Sequence, residues 1–411
     1  MNIKHLMSTA ALSLLTSISY GQSAIQQRCH TDEYHQLQVV KYPELAQAKQ
    51  DYKALIQQKL AENQYSKQSS AQGTTIPVVF HVVYRTNAQN IPDARIFEQI
   101  QILNDDFSAN NTDINTVPSD FEDVIGNSQI QFVLASVDPA GNATSGITRT
   151  NTSEFNFDLS EDNIKYDQEG GKTAWDTDLY LNIWVGNIED GILGYATPPS
   201  NAGSDDDGVV IAYRHVGNST NGAPYNLGRT ATHEVGHYFG LDHPWGPGFG
   251  GCSEDDGISD TPLQAGENSG DPNHPIVSCG TADMFMNYMD YCNDASLVMF
   301  TEEQNEVMDA VLSTVRNSLT TSPALGSNEI ETGNLFTVYP NPAKNEIKIQ
   351  VSDNQENAIL SIADVSGKIQ LSTTLNSGNQ SVDVSTLTKG LYLFELKTAT
   401  ETRTQKVILT N

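Results

Sequence analysis

A sequence of 411 residues exceeds what one hydrophobic core sustains, a limit of about 250 to 300 residues, so more than one folding unit is expected. Hydrophobic residues at 38% and aromatics at 8% exclude a disordered chain, while 30 Gly and 16 Pro among many Asn, Asp, Ser and Thr point to loops and β-structure. A formal charge of -29 repels phosphate backbones and anionic lipid heads, which excludes nucleic acid and membrane surfaces as partners; it favours cations and basic peptides, or serves simply as a solvated surface.

In chain order, Lys4 and His5 precede an apolar run from Leu6 to Ile18, and Ser19-Tyr20-Gly21 supplies small residues where a signal peptidase reads. Residues 1–21 therefore read as a signal peptide. The run is about 13 residues against the about 20 a span needs, and no later segment is longer or more apolar, so no transmembrane segment is expected. Residues 22–72 are rich in Gln, Lys, Glu and Ala, with weak helical spacing through Leu45, Tyr52, Leu55, Ile56 and Leu60 before a polar stretch. This reads as a helical pro-segment ending in an exposed linker. A buried strand at Ile76–Tyr84 and a helix carrying Ile96, Ile100, Leu103 and Phe107 open an α/β region spanning 73–320. Strands are expected at Ile130–Ala135, Leu179–Val185 and Gly208–Tyr213, then a helix from Asn226 to Gly240, a Gly- and Asp-rich stretch over 244–300, and a last helix from Glu302 to Leu319. A Ser-, Pro-, Gly- and Asn-rich linker at 321–334 precedes six or seven short alternating segments at about ten-residue spacing, the pattern of a small β-sandwich over 335–411.

The chemistry sits in His233-Glu-Val-Gly-His237-Tyr-Phe-Gly240-Leu-Asp-His243. Histidines four apart share one helical face, so both imidazoles reach one ion, with Glu234 beside them and free of ligand duty. Gly240 lets the chain leave the helix in a left-handed turn that returns His243 as a third nitrogen ligand. Three protein ligands leave one position for water, which zinc acidifies to a pKa of about 7 for Glu234 to deprotonate. The pattern thus predicts peptide hydrolysis without a covalent intermediate. Met289, in Asn287-Tyr-Met-Asp-Tyr291, falls where the extended motif expects a methionine turn beneath the metal. The alternative of another class is a zinc-stabilised adhesion or binding protein without proteolytic activity, which would have no need of Glu234.

Glu254-Asp-Asp-Gly-Ile-Ser-Asp260 offers hard oxygens in an irregular loop, as calcium prefers, with Asp256 and Asp260 the candidate ligands; an acidic solvated loop is the competing reading. Export makes disulfides plausible among Cys252, Cys279 and Cys292, which leaves one of the three over, while Cys29 stands alone near the new N-terminus. Cys29 is either a soft ligand filling the open zinc position of a latent precursor or the disulfide partner of Cys292.

Residues 75 to 318 resemble the pappalysins among the metzincin metallopeptidases, specifically their bacterial secreted members. The resemblance runs through Leu193-Gly-Tyr-Ala196, Asp207-Gly-Val-Val-Ile211, Pro224-Tyr-Asn-Leu-Gly-Arg-Thr-Ala-Thr-His233, Asp260-Thr-Pro262 and the methionine turn. It implies an α/β (α+β) catalytic domain split by a zinc cleft, with Tyr291 close to the metal and able to steady the oxyanion. It also implies a Cys252–Cys279 disulfide, whereas Ser296 stands where a cysteine of a second bridge is expected. Some relatives cleave before arginine using an acid just after the methionine turn, which brings in Asp294, although Ala295 competes for that position. Relatives bind calcium in this lower region and carry Arg-Cys-Gly-Thr in their pro-segments, here Arg28-Cys29-His30-Thr31. The C-terminal sandwich resembles the sorting domain of the type IX secretion system of Bacteroidetes through Val338-Tyr-Pro-Asn-Pro342, Lys389-Gly-Leu-Tyr392 and Lys406-Val-Ile408. That implies protein or peptide substrates, type IX machinery as an export partner, and an extracellular or cell-surface location. A carbohydrate- or substrate-binding module is the rival for the sandwich, without an evident row of aromatics to support it.

Overall fold

The computed structural model describes residues 28–66, 73–189, 191–248, 251–325, 336–351, 358–364, 368–398 and 402–410. The signal peptide expected at 1–21, the end of the pro-segment beyond residue 66 and most of the 321–334 linker lie outside the described residues.

Helices α1 (Thr31–Lys41) and α2 (Leu45–Ser66) precede strand β1 (Thr74–Tyr84), whose run Ile-Pro-Val-Val-Phe-His-Val-Val is buried along its length. A strand apolar on both faces belongs inside a parallel sheet, and β1 is the hub of one. After helix α3 (Asp93–Phe107) come β2 (Ile130–Leu134) and β3 (Ile147–Asn151), which pair in parallel with successive halves of β1. On its other side β1 pairs with β4 (Leu181–Gly186), in sequence followed by β5 (Gly194–Ala196) and β6 (Val209–Ala212). The six-stranded sheet has the order β2-β1-β4-β6-β5 with β3 attached to β1, and β5 is its antiparallel edge.

Helix α4 (Arg229–Tyr238) lies against β5, β6 and α3, and every one of its residues is buried. Its core neighbours include Phe107, which meets Phe132 and Phe300 edge-on at 4.9 and 5.0 Å. The helix is shorter than the Asn226–Gly240 expected, because Gly228 at φ +78° cannot belong to a right-handed helix and the backbone N–H groups of Leu227 and Arg229 both donate to Asp294. The expected Glu302–Leu319 helix is two pieces, α5 (Glu302–Leu312), opened by a Thr301/Gln304 capping box, and α6 (Asn317–Thr320). Between them Arg316 turns inward to pair with buried Asp207 and to donate to Tyr238 O at 2.9 Å, which a continuous helix would forgo. Strands β3 and β5 lack any apolar alternation and gave no sequence signal.

The C-terminal unit contains β7 (Phe336–Tyr339), β8 (Glu346–Val351), β9 (Ala358–Asp364), β10 (Ile369–Leu375), β11 (Gly378–Asp383), β12 (Gly390–Lys397) and β13 (Thr402–Leu409). They form a four-stranded antiparallel sheet, β10-β9-β12-β13, and a three-stranded one, β11-β8-β7. Alternate residues such as Ile347, Ile349, Val351, Phe394 and Leu396 turn inward to a core between them, which is the all-β sandwich the alternation predicted.

Candidate active site

One turn of α4 separates His233 from His237, so their rings stand side by side. Gly240, at φ +92°, ends the helix with its N–H on His237 O, and Leu241 N–H bonds back to Gly236 O; the chain thereby reverses and brings in His243. The Nε2 atoms of His233 and His243 lie 3.1 and 3.0 Å from His237 Nε2. His233 Nδ1 donates to Tyr288 O and His237 Nδ1 to Leu241 O, both at 2.7 Å, and His243 Nδ1 faces Asp32 Oδ2 at 3.2 Å. A carbonyl only accepts, so the first two rings carry hydrogen on Nδ1 and present bare Nε2 lone pairs to one another. Burial, then the neighbouring imidazoles, push His233 well below its ordinary value, and burial with His243 pushes His237 down to about 3, so neither is charged at neutral pH. Lone pairs converging at that spacing in a dry site repel unless a cation lies among them; neutral imidazoles anchored through Nδ1 are what zinc takes. Cys29 Sγ joins them, all four ligand atoms lying within 4.8 Å of one another, and among the described residues this is the one group of its kind.

Met289 is buried beneath α4, where a Cβ on Gly236 would stand 2.6 Å from its Sδ; this contact explains the glycine between the two histidines. Gly194 of β5 serves likewise, since a Cβ there would meet Glu234 Cγ at 2.9 Å. Glu234 is buried, its Oε2 accepting from Thr31 Oγ1 at 2.8 Å and from Cys29 Sγ at 3.5 Å, while Oε1 has no partner. Burial raises its carboxyl to about 8 despite the opposing bonds from Thr31 and Cys29. Tyr291 packs edge-on to His243 at 4.9 Å and directs Oη to Cys29 O at 3.4 Å. Trp245, not singled out from the sequence, stacks on His243 at 4.6 Å and 3° and meets Tyr291 edge-on at 5.0 Å, so the three rings form one cluster.

Residues 28–31, within the expected pro-segment, occupy this cleft. His30 N–H donates to Gly194 O at 3.1 Å, and Ala196 N–H donates to Thr31 Oγ1 at 2.9 Å, so residues 30 and 31 bond along the β5 edge. Arg28 is buried, with Nη1 2.8 Å from Asp294 Oδ1 and 3.1 Å from Cys292 O, and its guanidinium lies 5.5 Å from the Tyr225 ring. It is Asp294, not Ala295, that meets it. The motif Arg28-Cys29-His30-Thr31 was visible in the sequence; the hydrogen bond from Thr31 to Glu234 was not, because nothing local to either residue announces it.

Cys252 and Cys279 form a disulfide, while Cys29 and Cys292 are separate buried thiols, which removes the alternative of a bridge between them. Asp256 and Asp260 are turned to different tasks. Asp260 accepts from Thr301 Oγ1 at 2.6 Å and Glu303 N at 2.9 Å at the start of α5, whereas Asp256 uses Oδ1 for Ile258 N and Thr261 Oγ1 and leaves buried Oδ2 unpartnered.

Residues 164–313 match the pregnancy-associated plasma protein-A peptidase family, and residues 337–410 match the secretion system C-terminal sorting domain. An extracellular metalloprotease of Arthroderma otae is 32% identical over 243 residues, 56% of this chain and 75% of the relative. One of Pyricularia oryzae is 33% identical over 257 residues, 59% of this chain and 76% of the relative. Among solved structures, a Tannerella forsythia promirolysin variant is 42% identical with a TM-score of 0.65, covering 71% of this chain and 97% of that one. Mature mirolysin of the same organism, in complex with a cleaved peptide, is 47% identical with a TM-score of 0.60, covering 61% of this chain and 96% of that one. The chain belongs to the pappalysin family of secreted zinc metallopeptidases and ends in a type IX secretion sorting domain.

Proposed function

We propose that His233, His237 and His243 hold the catalytic zinc, that Glu234 is the general base of peptide-bond hydrolysis, and that residues 28 to 31 keep the precursor latent. The observation that carries this is the convergence of three imidazole nitrogens beside a buried carboxylate, with Cys29 Sγ as fourth neighbour. Zinc supplies Lewis acidity there, polarising a scissile carbonyl and acidifying a water. Once Thr31 has left, Glu234 Oε2 is free to accept the proton of the attacking water and return it to the leaving amine nitrogen. Tyr291 Oη, aimed at the carbonyl oxygen of Cys29 in the precursor, is suited to donate to a substrate carbonyl oxygen as negative charge builds on it. Met289 supports the histidines from below through its contact at Gly236.

In the precursor the same groups are engaged by the chain itself. Burial and the Glu234 carboxylate push the Cys29 thiol up, so a cation beside it is what would hold it as a thiolate ligand. Arg28 on Asp294 resembles a bound substrate side chain, which supports a preference for basic residues at that subsite. We assign residues 1–21 to a signal peptide, 22–72 to the pro-segment, 73–320 to the catalytic domain, 321–334 to a linker and 335–411 to the sorting domain. A structural calcium ion near Asp256 is supported by the unpartnered Oδ2, whose burial raises the carboxyl to about 7; Asp260, already committed to α5, has weaker support.

The test is metal removal from the activated protein. Stripping with 1,10-phenanthroline should abolish cleavage of a reporter peptide and one equivalent of zinc should restore it, whereas a calcium-selective chelator should lower the melting temperature with zinc retained. Cleavage that persists without metal contradicts the zinc assignment, and an unchanged melting temperature contradicts the calcium one.

A further inference from the structure

Tyr34, one helical turn beyond Thr31, is wholly buried although it belongs to the expected pro-segment, and its side-chain hydrogen bonds and ring contact are made to residues of the sheet region beside β5. Its ring lies 5.0 Å from that of Tyr195. Its Oη donates to Asp162 Oδ2 at 2.8 Å, Tyr195 Oη donates to Asp162 Oδ1 at 2.7 Å, and Lys165 Nζ sits 2.9 Å from Asp162 Oδ2. Lys165 Nζ also donates to Tyr34 Oη at 3.2 Å and to Asp206 O at 2.9 Å, and stands 4.8 Å from the centre of the Tyr34 ring. Asp162, Lys165, Tyr195 and Trp184 are themselves buried. The acceptor, the cation and the aromatic wall are therefore all supplied by residues 162 to 195, and Tyr34 supplies the guest ring and hydroxyl, with Leu37 of α1 packed against the same cluster.

We propose that this is a hydroxyphenyl-binding socket of the catalytic domain, filled by Tyr34 in the precursor and by a tyrosine side chain of a bound peptide once the pro-segment has gone. The proposal rests on the protease reading of the adjoining cleft. Departure of Tyr34 leaves a ring-sized space and takes one donor from the buried Asp162 carboxylate, a cost that a phenol relieves and a phenyl ring relieves only in part. The peptide's route is set by β5, the sheet edge that already bonds His30 and Thr31 and leads through Tyr195 into the socket. A site built to bond a hydroxyl rejects the analogue lacking it, so tyrosine should be preferred over phenylalanine by about tenfold or more. Acidic side chains are disfavoured by Asp162.

Three measurements test this. In the full-length Tyr34→Ala precursor, 4-methylphenol should raise the melting temperature more than toluene does, and neither should shift the wild-type chain, whose socket is filled. Peptide-library profiling of the activated enzyme should show tyrosine enriched over phenylalanine at one fixed distance from the cut, and N-acetyltyrosinamide should inhibit cleavage of a tyrosine-free peptide more strongly than N-acetylphenylalaninamide. Equal response to phenol and toluene, or a library without tyrosine preference in an enzyme that cleaves tyrosine-free peptides, overturns the socket alone. If the alanine precursor does not fold, the library and the two amides still decide. A protein that cleaves no peptide contradicts the protease reading instead, and the phenol shift then reports on the socket independently.

Discussion

In the proposed latency Thr31 and Cys29 act through different contacts, one on the Glu234 carboxyl and one among the histidines. A side-chain hydrogen bond contributes about 0.5 to 1.5 kcal/mol, so Thr31→Val should raise the basal activity of the precursor by about two- to tenfold. Cys29→Ala removes the fourth ligand candidate and should give premature activity with self-cleavage near residues 60 to 75. X-ray absorption of zinc in the wild-type precursor should report one sulfur neighbour; a shell of nitrogen and oxygen only, with latency intact in Cys29→Ala, contradicts the switch. Asp294 also acts at this scale. Its carboxylate is held by Leu227 N and Arg229 N with one oxygen left for a guanidinium, so Asp294→Asn should erase enrichment of Arg and Lys at the primed side in a peptide library. A wild-type profile with no such enrichment sinks the assignment. Asp294 and Cys29 were legible as candidates because each stands beside a recognisable motif, whereas Tyr34 and Trp245 were not, since their roles depend on partners more than a hundred residues distant or on ring orientation.

Helix α4 shows which parts of an element a sequence displays. Its histidine spacing and its glycine exit were readable because helical geometry alone determines them. Its start was not, because the αL glycine at 228 and the anchoring by Asp294 are tertiary facts. The same holds for the break between α5 and α6, where the pull of Asp207 and Tyr238 on Arg316 overrides a continuous helical pattern. Edge strand β5 is three residues long and carries no periodicity, yet it supplies the main-chain contacts of the pro-segment. Packing beneath α4 is tight enough to be tested: Gly236→Ala would press a methyl group against Met289 and should cost about 1 to 3 kcal/mol. The expected signature is a lower melting temperature together with weaker zinc retention, and a stable variant with unaltered zinc affinity would show that Met289 does not brace the site.

At the scale of the molecule, the sheet region and the C-terminal sandwich each have a core of their own, with Ile408 of β13 packed into the first; an α/β region and a β-sandwich were anticipated from periodicity, the zinc cleft from the family resemblance. The histidines, Glu234 and Cys29 are buried and oriented by contacts within the fold, away from the acidic surface. The catalytic groups stand assembled with residues 28–31 seated among them, so the proposed activation needs that segment removed rather than the groups brought together. Glu234 decides whether the finished site is a protease or a metal-stabilised binding surface. The most direct measurement is zinc content and peptide turnover of Glu234→Gln, compared with wild type after the pro-segment has been removed from both by the same external protease. One zinc per chain with turnover reduced by at least about 10² to 10⁴-fold is the result expected for loss of the general base; unchanged turnover in a folded, zinc-loaded variant would contradict the mechanism.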